Sequence, residues 1–235
     1  MKKIIIALTT ALITFAFTSV YAGSFNVGVT GAIAKVSGDG TETTAAGTTG
    51  TANSNSASAE HKNVPIGSYY LEYASDFYGI TVGFEHTPGS ADVNSSVKSR
   101  QDIENSVTGD ATTNTGTRDF KAQAEVENYT NLYVEIPVYN SIFVRAGMAS
   151  IDVNTLEVKS SNGGSYGNAG VDGFNYGIGF KGDLTDNLAY KVFYETTEFD
   201  QLSLTSTGNS VTSETNKVTA DLDVSSVKFA IGYKF

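Results

Sequence analysis

The side chains that could carry chemistry in this chain are few. The 235 residues include two histidines, His61 and His86, and no cysteine. The lack of cysteine excludes disulfide bonds, thiolate metal sites and thiol nucleophiles. Both histidines stand near the ends of polar segments, without a second histidine or a carboxylate at the spacing of a metal site. We therefore expect no metal and no cofactor.

The nearest approach to a catalytic group is His86, which follows Glu85 and precedes Ser90. Thr87 and Pro88 come directly after the histidine, and nothing in the sequence identifies both an activated nucleophile and its base. A solvated histidine at the end of a strand is the simpler interpretation. The sequence thus predicts that the protein is not an enzyme.

The composition departs from that of a soluble globular protein. Charged residues make up 17% of the chain, against roughly 25% in an average globular domain. Fifteen basic and 25 acidic residues give a formal net charge of −10. Such a chain lacks the basic surface that non-specific nucleic-acid binding requires, so no nucleic-acid partner is expected.

The amino terminus has the features of a secretory signal peptide. Lys2 and Lys3 precede a mostly apolar stretch at residues 4–17, and Val20 and Ala22 supply small residues at the two positions that a signal peptidase reads. The alternative is a short anchor helix, but the stretch is shorter than the roughly 20 residues that a spanning helix needs. We predict a signal peptide at residues 1–22. Its cleavage leaves 13 basic against 25 acidic residues, a net charge of −12.

Apolar and polar residues alternate with period two along the mature chain, residues 23–235, in one segment after another. This alternation is typical of half-buried β-strands. The apolar positions of the segments are Phe25, Val27, Val29 and Ile33; Tyr69, Leu71 and Tyr73; Tyr78, Ile80, Val82 and Phe84; Leu132, Val134, Ile136 and Val138; Ile142, Val144, Ala146 and Met148; Phe174, Tyr176, Ile178 and Phe180; Leu188, Tyr190, Val192 and Tyr194; and Val227, Phe229, Ile231, Tyr233 and Phe235. The pattern predicts eight strands.

Long and short connections alternate between these strands. The long ones lie at about residues 37–60, 87–118, 160–168 and 205–216, and the short ones near Asp76, Asn140 and Asp186. The first long connection is a low-complexity tract, for which disorder is the default expectation. In an up-and-down barrel, this alternation places four long loops outside the cell and three short turns in the periplasm, as in outer-membrane barrels. A soluble sandwich gives no reason for such segregation.

The charged residues of the strand cores all fall on the parity opposite to the apolar one. They are Glu72, Glu85, Glu135, Arg145, Lys181, Lys191, Glu195, Lys228 and Lys234. A soluble lipocalin-like barrel would be apolar inside and polar outside, so this pattern favours the reverse. It predicts an all-β fold: an eight-stranded antiparallel up-and-down transmembrane β-barrel with a polar lumen and an apolar exterior.

The carboxy terminus resembles a known assembly signal. The chain ends with alternating apolar residues and a terminal phenylalanine, at Val227, Phe229, Ile231, Tyr233 and Phe235. This ending and the eight strands resemble the small outer-membrane barrel superfamily of Gram-negative bacteria, which includes the transmembrane domain of outer-membrane protein A, outer-membrane protein X and the opacity proteins. The resemblance implies a monomer in the cell outer membrane that contacts lipid and lipopolysaccharide. It also implies assembly by the barrel-assembly machinery and periplasmic chaperones.

The inward charges need partners, because side chains fill the interior of an eight-stranded barrel. If the fourth hairpin is centred on Asn140, Glu135 and Arg145 lie directly opposite each other. Members of the resembled superfamily close their barrels with ion pairs, and the resemblance implies a similar network here. The alternative is a set of independent, hydrated charges. Unpaired charge in a narrow, low-dielectric lumen costs several kcal/mol, which favours the network.

Three functions stay open for such a barrel. The first is a structural and surface-presenting role, in which the barrel stabilises the envelope and displays its loops. The second is a narrow porin-like channel, which needs a continuous water path past the lumen charges. The third is a lipid-modifying enzyme, since some eight-stranded relatives carry a histidine–serine pair; His86 and Ser90 are the nearest counterpart but lack its tight spacing. We expect the first.

Overall fold

The strands form where the sequence alternates apolar and polar residues. A computed structural model describes residues 23–43, 54–76, 78–93, 98–105, 115–122, 124–156, 165–207 and 215–235. In these ranges the strands are β1 (Gly23–Thr43), β2 (Ser54–Ser75), β3 (Thr81–Asp92), β4 (Lys98–Asn105), β5 (Thr115–Ala122), β6 (Ala124–Tyr139), β7 (Ile142–Thr155), β8 (Ala169–Thr185), β9 (Leu188–Phe199), β10 (Leu202–Thr205) and β11 (Lys217–Lys234). The described residues contain no helix long and apolar enough to cross a membrane. The predicted signal peptide at residues 1–22 lies outside them.

Eight of these strands close a barrel. They pair antiparallel in the order β1, β2, β3, β6, β7, β8, β9 and β11, and β11 returns to β1. The closing ladder runs from the Asn26–Lys234 pair to the Thr43–Lys217 pair. β10 pairs with β11 beyond the end of β9, while β4 and β5 form a separate two-stranded sheet. The predicted eight-stranded up-and-down barrel is confirmed.

Short turns connect the strands at one end of the barrel. The β6–β7 turn contains Asn140 with a φ of 47°, a left-handed conformation that asparagine tolerates. The β2–β3 turn differs from the prediction, because Tyr78 and Ile80 were expected within a strand. Tyr78 lies in the turn with a φ of 55° and is 78% exposed, and β3 begins only at Thr81.

At the opposite end, the strands extend further into the long connections than the sequence predicts. β1 continues to Thr43 and β2 begins at Ser54, so much of the tract at 37–60 forms a paired ladder and not a loop. β11 pairs with the other side of β1 up to the same height. The backbone groups of β1 therefore find partners on both sides, which compensates for the weak strand propensity of the tract.

The other long connections also contain paired residues. The region at 87–118 includes the end of β3, all of β4 and the first residues of β5, and β10 ends at Thr205, where the last connection was expected to begin. The third connection, at 160–168, lies mostly outside the described residues.

The half of the barrel next to the short turns, here called the lower barrel, has an apolar outer face. Each of its strands exposes large apolar side chains, among them Val29, Leu71, Phe84, Ile136, Val144, Ile178, Val192 and Phe229. The inward positions of the same strands include the buried polar side chains of Asn26, Asn131 and Asn175. The predicted polar lumen and apolar exterior are confirmed for this half.

The half next to the long connections, here called the upper barrel, has the reverse polarity. Its interior holds a cluster of buried apolar side chains: Ala34, Val36, Val64, Val93, Ala149, Ile151, Val153, Val171, Phe199, Leu202 and Leu222. Along β1, the apolar positions change from outward Ile33 to inward Ala34, and along β11 from outward Val227 to inward Val224. The upper barrel therefore has the core of a water-soluble barrel, which the prediction of a polar lumen did not anticipate.

Candidate functional site

The inward charges of the lower barrel meet in the lumen. Seven of them are at most 5% exposed: Glu72, Glu85, Glu135, Arg145, Lys191, Glu195 and Lys228. They extend from β2, β3, β6, β7, β9 and β11, because each occupies an inward position of its strand. Together with Lys181 they are called the lumen charge network, which contains four carboxylates and four cations.

The part of the network nearer the upper barrel pairs two cations with two carboxylates. Arg145 Nη2 lies 2.5 Å from Glu85 Oε2, and Arg145 Nε lies 2.9 Å from Glu195 Oε2. Lys228 Nζ lies 3.1 Å from Glu85 Oε1 and 2.7 Å from Glu195 Oε1. Each cation therefore contacts both carboxylates, and each carboxylate contacts both cations.

The part nearer the short turns is built around Lys191. Its ammonium group donates hydrogen bonds to Glu72 and, at 2.7 Å, to Glu135 Oε2. Lys181 Nζ lies 3.7 Å from the same Glu135 oxygen, and Arg145 Nη1 lies 3.9 Å from Glu135 Oε1. Arg145 thus joins the two parts of the network.

Aromatic side chains fill the space between the charges. The Tyr133 hydroxyl donates a hydrogen bond of 2.7 Å to Glu72 Oε1, and its ring lies 3.3 Å from Arg145 Cζ. This stacking satisfies the flat face of the guanidinium group, which cannot form hydrogen bonds. Gly83 makes room for the ring, because a Cβ at that position would overlap it. The carboxylates, cations and rings fill the lumen at this level.

The geometry determines how costly a change in the network would be. Four carboxylates are buried with three cations, Lys181 adds a fourth cation at the edge, and every charge has a partner within the network. Removing one partner from a buried ion pair leaves the other charge without compensation, which costs several kcal/mol. The network is therefore a structural element whose members depend on one another.

The Glu135–Arg145 pair is present in the ladder but is not the main contact of either residue. The two are register partners on β6 and β7, as the position of the hairpin predicts. Arg145 nevertheless approaches Glu85 and Glu195 more closely, and Glu135 approaches Lys191. Strand register sets the positions of Cα atoms only, and long side chains in a narrow lumen can reach partners across it.

Lys234 and Lys181 lie at the edge of the lumen next to the short turns. Lys234 Nζ lies 2.7 Å from Asp183 Oδ1, and both side chains are partly exposed. The Lys181 side chain is 27% exposed, in contrast to the other cations of the network. These two lysines therefore remain accessible to water at this end of the barrel.

The predicted assembly signal lies on the outer face of β11. Val227, Phe229, Tyr233 and Phe235 are each at least 50% exposed. The Phe235 amide donates a hydrogen bond to the Phe25 carbonyl, and its ring lies 5.1 Å from that of Tyr233. Ile231 is partly covered. Other aromatic residues of the lower barrel have similar exposure, so a role of this ending in assembly stays a prediction.

The side chains considered for catalysis do not come together. Glu85 belongs to the lumen charge network, while His86 lies on the other face of β3, 3.1 Å from Thr130 Oγ1 and packed against Tyr69. Ser90 is exposed further along the strand. Within the described ranges, no group of three or more histidines and carboxylates is arranged to hold a metal ion.

The outer face of the upper barrel is acidic. Asp39 and Asp221 are register partners on β1 and β11, as are Glu198 and Asp223 on β9 and β11. Partial burial and the nearby carboxylates of Glu198, Asp221 and Asp39 raise the pKa of Asp223 above its ordinary value. Repulsion among these charges is tolerable only where water and salt can screen it.

Sequence reasoning did not identify the apolar cluster of the upper barrel. The signal was present in the sequence, because the apolar residues change parity within single strands. On β7, outward Ala146 and Met148 are followed by inward Ala149, Ile151 and Val153. A change of parity without a turn marks the height at which the surroundings of the barrel change from lipid to water.

No protein-family model matches the chain, and no curated protein matches it. Solved structures do match. The outer membrane protease OmpT from Escherichia coli aligns over 90% of this chain and 97% of its own, with 10% identity and a TM-score of 0.51. OprG, an outer membrane protein from Pseudomonas aeruginosa, aligns over 92% and 97%, with 14% identity and a TM-score of 0.45. Ail, the attachment invasion locus protein of Yersinia pestis, aligns over 91% and 99%, with 12% identity and a TM-score of 0.40.

At sequence identities this low, a structural match shows a similar fold and does not show a shared activity. The chain itself shows a closed ring of eight strands and an apolar outer face around the lower barrel. Closed barrels of this kind satisfy all their backbone groups within the wall, which is the condition for crossing a bilayer with strands. The chain therefore has the fold of the small outer-membrane barrels that its sequence resembles.

Proposed function

We propose that the protein is a structural barrel whose upper part presents a stable, acidic surface outside the cell. The observation that carries this proposal is the continuation of the wall beyond the lipid-facing band. β1 and β2 contain 21 and 22 residues, whereas about 9 to 11 suffice for a spanning strand. Roughly ten residues of each strand therefore extend the wall by about 25 Å.

The polarity of the upper barrel supports this role. Its apolar core and polar outer face are those of a domain that folds in water, so the protruding wall is a stable support and not a collection of loops. The acidic pairs of Asp39 with Asp221 and of Glu198 with Asp223 lie on that outer face. A surface on which acidic side chains predominate suits contact with basic or cation-bridged partners.

The filled lumen favours this role over that of a pore. Arg145, Glu85 and Lys228 are almost completely buried, and Phe143 and Phe193 occupy the lumen at the same level. Ions would have to displace paired charges to pass. We also expect no enzyme, because Glu85 and His86 lie on opposite sides of the wall and the hydroxyl that His86 contacts is that of Thr130, not that of Ser90.

The remaining partners belong to the proposal as well. We infer that the lower barrel contacts lipid and lipopolysaccharide, and that the barrel-assembly machinery and periplasmic chaperones insert it as a monomer. The apolar outer face and the ending at Phe235 support these partners, because both are features on which outer-membrane assembly depends in the resembled superfamily.

Surface labelling tests the orientation. Epitope tags inserted near Ala45, Asn105, Gly164 and Asn209 should bind antibody on intact cells, whereas a tag at Asn140 should bind only after the outer membrane is permeabilised. Labelling at Asn140 on intact cells would contradict the proposal. The Asn140 insertion also serves as the matched control, because it lies in a turn of the same barrel.

Planar-bilayer recording tests the closed lumen. The refolded barrel should show no unitary openings, while a variant with Arg145→Ala, Glu85→Ala and Glu195→Ala, which empties the centre of the network, should conduct ions. Stable openings of the unmodified protein would support the channel and overturn the proposal of a closed structural barrel.

A further inference from the structure

A cavity of about 150 Å³ lies between the lumen charge network and the apolar cluster of the upper barrel. Most of its wall is apolar, with Val36, Val64, Ala91, Val126, Ile151 and Val224 among its lining residues. An apolar cavity of this size is large enough to bind benzene. The volume thus suits a small apolar molecule.

The cavity reaches the outside of the barrel through the wall. Its lining includes inward Lys228 and Glu195 and also outward Pro65 and Gly67 of β2, together with Pro88 and Gly89 of β3. Among the described residues, the ladder between β2 and β3 ends at the Tyr69–His86 pair, although both strands continue. The two strands thus separate at this height and leave a lateral window.

Side chains close the window below and above. The Ser68 and Thr87 hydroxyls lie 2.7 Å apart at its lower end. At its upper end, His61 Nδ1 lies 3.0 Å from the Asp92 carbonyl oxygen. The backbone between these two contacts is not part of a β2–β3 ladder, so the opening has a defined frame.

Local backbone features keep the two strands apart. Pro88 has no backbone N–H to donate to a ladder, and Gly89 has a φ of 92°, which side-chain-bearing residues rarely adopt. The pairing of β3 with β6 shifts register between Thr87 and Ser90. Across the window, Asn63 of β2 has a φ of 59°. These irregularities bend the strands at the window.

The window opens at the height where the outer face is still apolar. Pro65 pairs with Ile33 on β1, and Ile33 pairs in turn with Val227 on β11. Ile33 and Val227 are 53% and 58% exposed, and Tyr69 below the window is 52% exposed. The first outward charge on β1 is Lys35, two residues higher. The lower part of the window, at Pro65 and Gly67, therefore faces the lipid leaflet next to the upper barrel, whereas its upper end lies beside exposed Lys62.

The floor of the cavity is polar, and its charged side chains, Lys228 and Glu195, are paired; Glu127 lines the cavity on β6. Lys228 is paired with Glu85 and Glu195. The Tyr129 hydroxyl lies 3.0 Å from Thr197 Oγ1 and 3.3 Å from Glu195 Oε1. A charged guest would have to compete with these contacts, so the cavity favours a neutral one.

We propose that this cavity binds a small, neutral, apolar molecule that enters from the adjacent lipid leaflet through the window between β2 and β3. The site adds a ligand to the proposed structural role and does not depend on the orientation of the barrel. Lipid is the source, because the window opens onto the apolar band and because apolar solutes concentrate there from water.

Toluene provides a direct test. The full barrel, with isotope-labelled methyl groups, is reconstituted into lipid nanodiscs and titrated with toluene. The methyl signals of Val64, Val36 and Ile151 should shift along a saturable curve, while those of Val192 and Val227 on the lipid face should change only in proportion to toluene in the lipid. Non-saturable shifts at all five residues would overturn the proposal.

Ala91→Phe fills the cavity and should weaken toluene binding by at least about tenfold. Ala146→Phe adds the same ring on the outer face of β7, where Ala146 is exposed, and should bind as the unmodified protein does. Equal binding by both variants would place toluene elsewhere and overturn the proposal. Ile151→Ala, which enlarges the cavity, should improve binding of propylbenzene relative to toluene, and an unchanged preference would count against the site.

The route of entry has its own matched pair. Gly67 and Gly31 face outward as register partners on β2 and β1, and a Cβ at either position would meet no atom within 4 Å. Gly67→Trp covers the window and should slow toluene exchange with little change in affinity, whereas Gly31→Trp should leave exchange unchanged. Equal exchange rates in both variants would refute entry through the window.

Discussion

The lower and upper barrels share the same strands but bury opposite kinds of side chain. In the lower barrel, Ile178 faces outward and Arg145 inward, whereas in the upper barrel Asp39 faces outward and Ile151 inward. The strands continue through the boundary, so backbone pairing cannot explain the difference. The surroundings explain it. Where water surrounds the wall, apolar side chains are buried inside the barrel, and where lipid surrounds it, they face outward. The wall is thus a single hydrogen-bonded structure with two cores.

The two halves also differ in what holds the interior together. The apolar cluster of the upper barrel is stabilised by burial, which tolerates small changes in shape. The lumen charge network of the lower barrel depends on specific partners, since an ion pair loses its compensation when either member is removed. Substitutions should therefore have effects that depend on the half in which they lie.

The largest effect is expected from the end of β11, because only the lower barrel has to enter lipid. Deletion of Phe235 should leave export intact but cause most of the protein to accumulate unfolded in the periplasm. The reason is that the unpaired edge of the last strand cannot be left in lipid and must be recognised before it pairs with β1. The fraction of heat-modifiable barrel in the outer membrane measures the outcome.

Phe180→Ala is the control for that deletion, because Phe180 is an exposed aromatic residue of the same barrel end, 57% exposed against 75% for Phe235. Equal losses in the two variants would show that the ending acts only as one of the exposed aromatic groups at this end of the barrel. A selective loss after deletion of Phe235 would support its role as an assembly signal.

The next effect concerns the lumen charge network. Arg145→Ala should destabilise the refolded barrel by about 3–5 kcal/mol, because it leaves Glu85 and Glu195 with Lys228 alone. Adding Glu195→Gln should recover part of this loss, since one uncompensated carboxylate is then removed. Urea unfolding in detergent micelles measures both free energies.

Lys234→Ala is the matched control for Arg145→Ala. Its ion pair with Asp183 is partly exposed, and such pairs contribute about 0–1 kcal/mol. A loss for Lys234→Ala as large as that for Arg145→Ala would mean that burial does not govern the strength of these pairs.

A charge on the outer face distinguishes the two halves directly. Ile178→Lys places an ammonium group on the lipid face and should cost about 2–4 kcal/mol. Ser203→Lys adds the same group to an exposed position of the upper barrel and should change the free energy of unfolding by less than about 0.5 kcal/mol. Similar costs in lipid vesicles would contradict the placement of the boundary between the two halves.

Much of the lower barrel could be predicted from the sequence, because its strands alternate strictly and its charges share one parity. Strand number, order, inward charges and the lipid-facing residues of β11 all follow from this regularity. The partners of Arg145 do not follow, since register places Glu135 opposite it while Glu85 and Glu195 reach it across the lumen. Three-dimensional closure decides such contacts.

The upper barrel was harder to predict for a different reason. Its strands are rich in Ser, Thr, Ala and Gly, and such composition favours disorder when each segment is considered alone. Pairing on both sides, as for Gly40 with Ala220 and Ala57, overrides that preference. The separation of β2 and β3 depends on Pro88 and Gly89. Both residues can be recognised in the sequence, but the window that they create becomes visible only when the neighbouring strand is known.

The smallest expected effect comes from the acidic outer face of the upper barrel. Burial and the neighbouring carboxylates raise the pKa of Asp223 in the folded protein above its ordinary value of 3.8. The folded state therefore binds this proton more tightly than the unfolded state does, so ionised Asp223 destabilises the barrel at neutral pH. The penalty disappears as the pH falls below the unfolded value. Asp223→Asn should thus stabilise the barrel at pH 7, by less than about 1 kcal/mol because the site is partly exposed to water, which screens the repulsion, and this gain should vanish near pH 3. Asp186→Asn, which removes a carboxylate from the turn at the other end, is the control. Urea midpoints at both pH values and at high salt measure the difference, and a gain for Asp223→Asn that is independent of both pH and salt would show that charge repulsion on this face is not its cause.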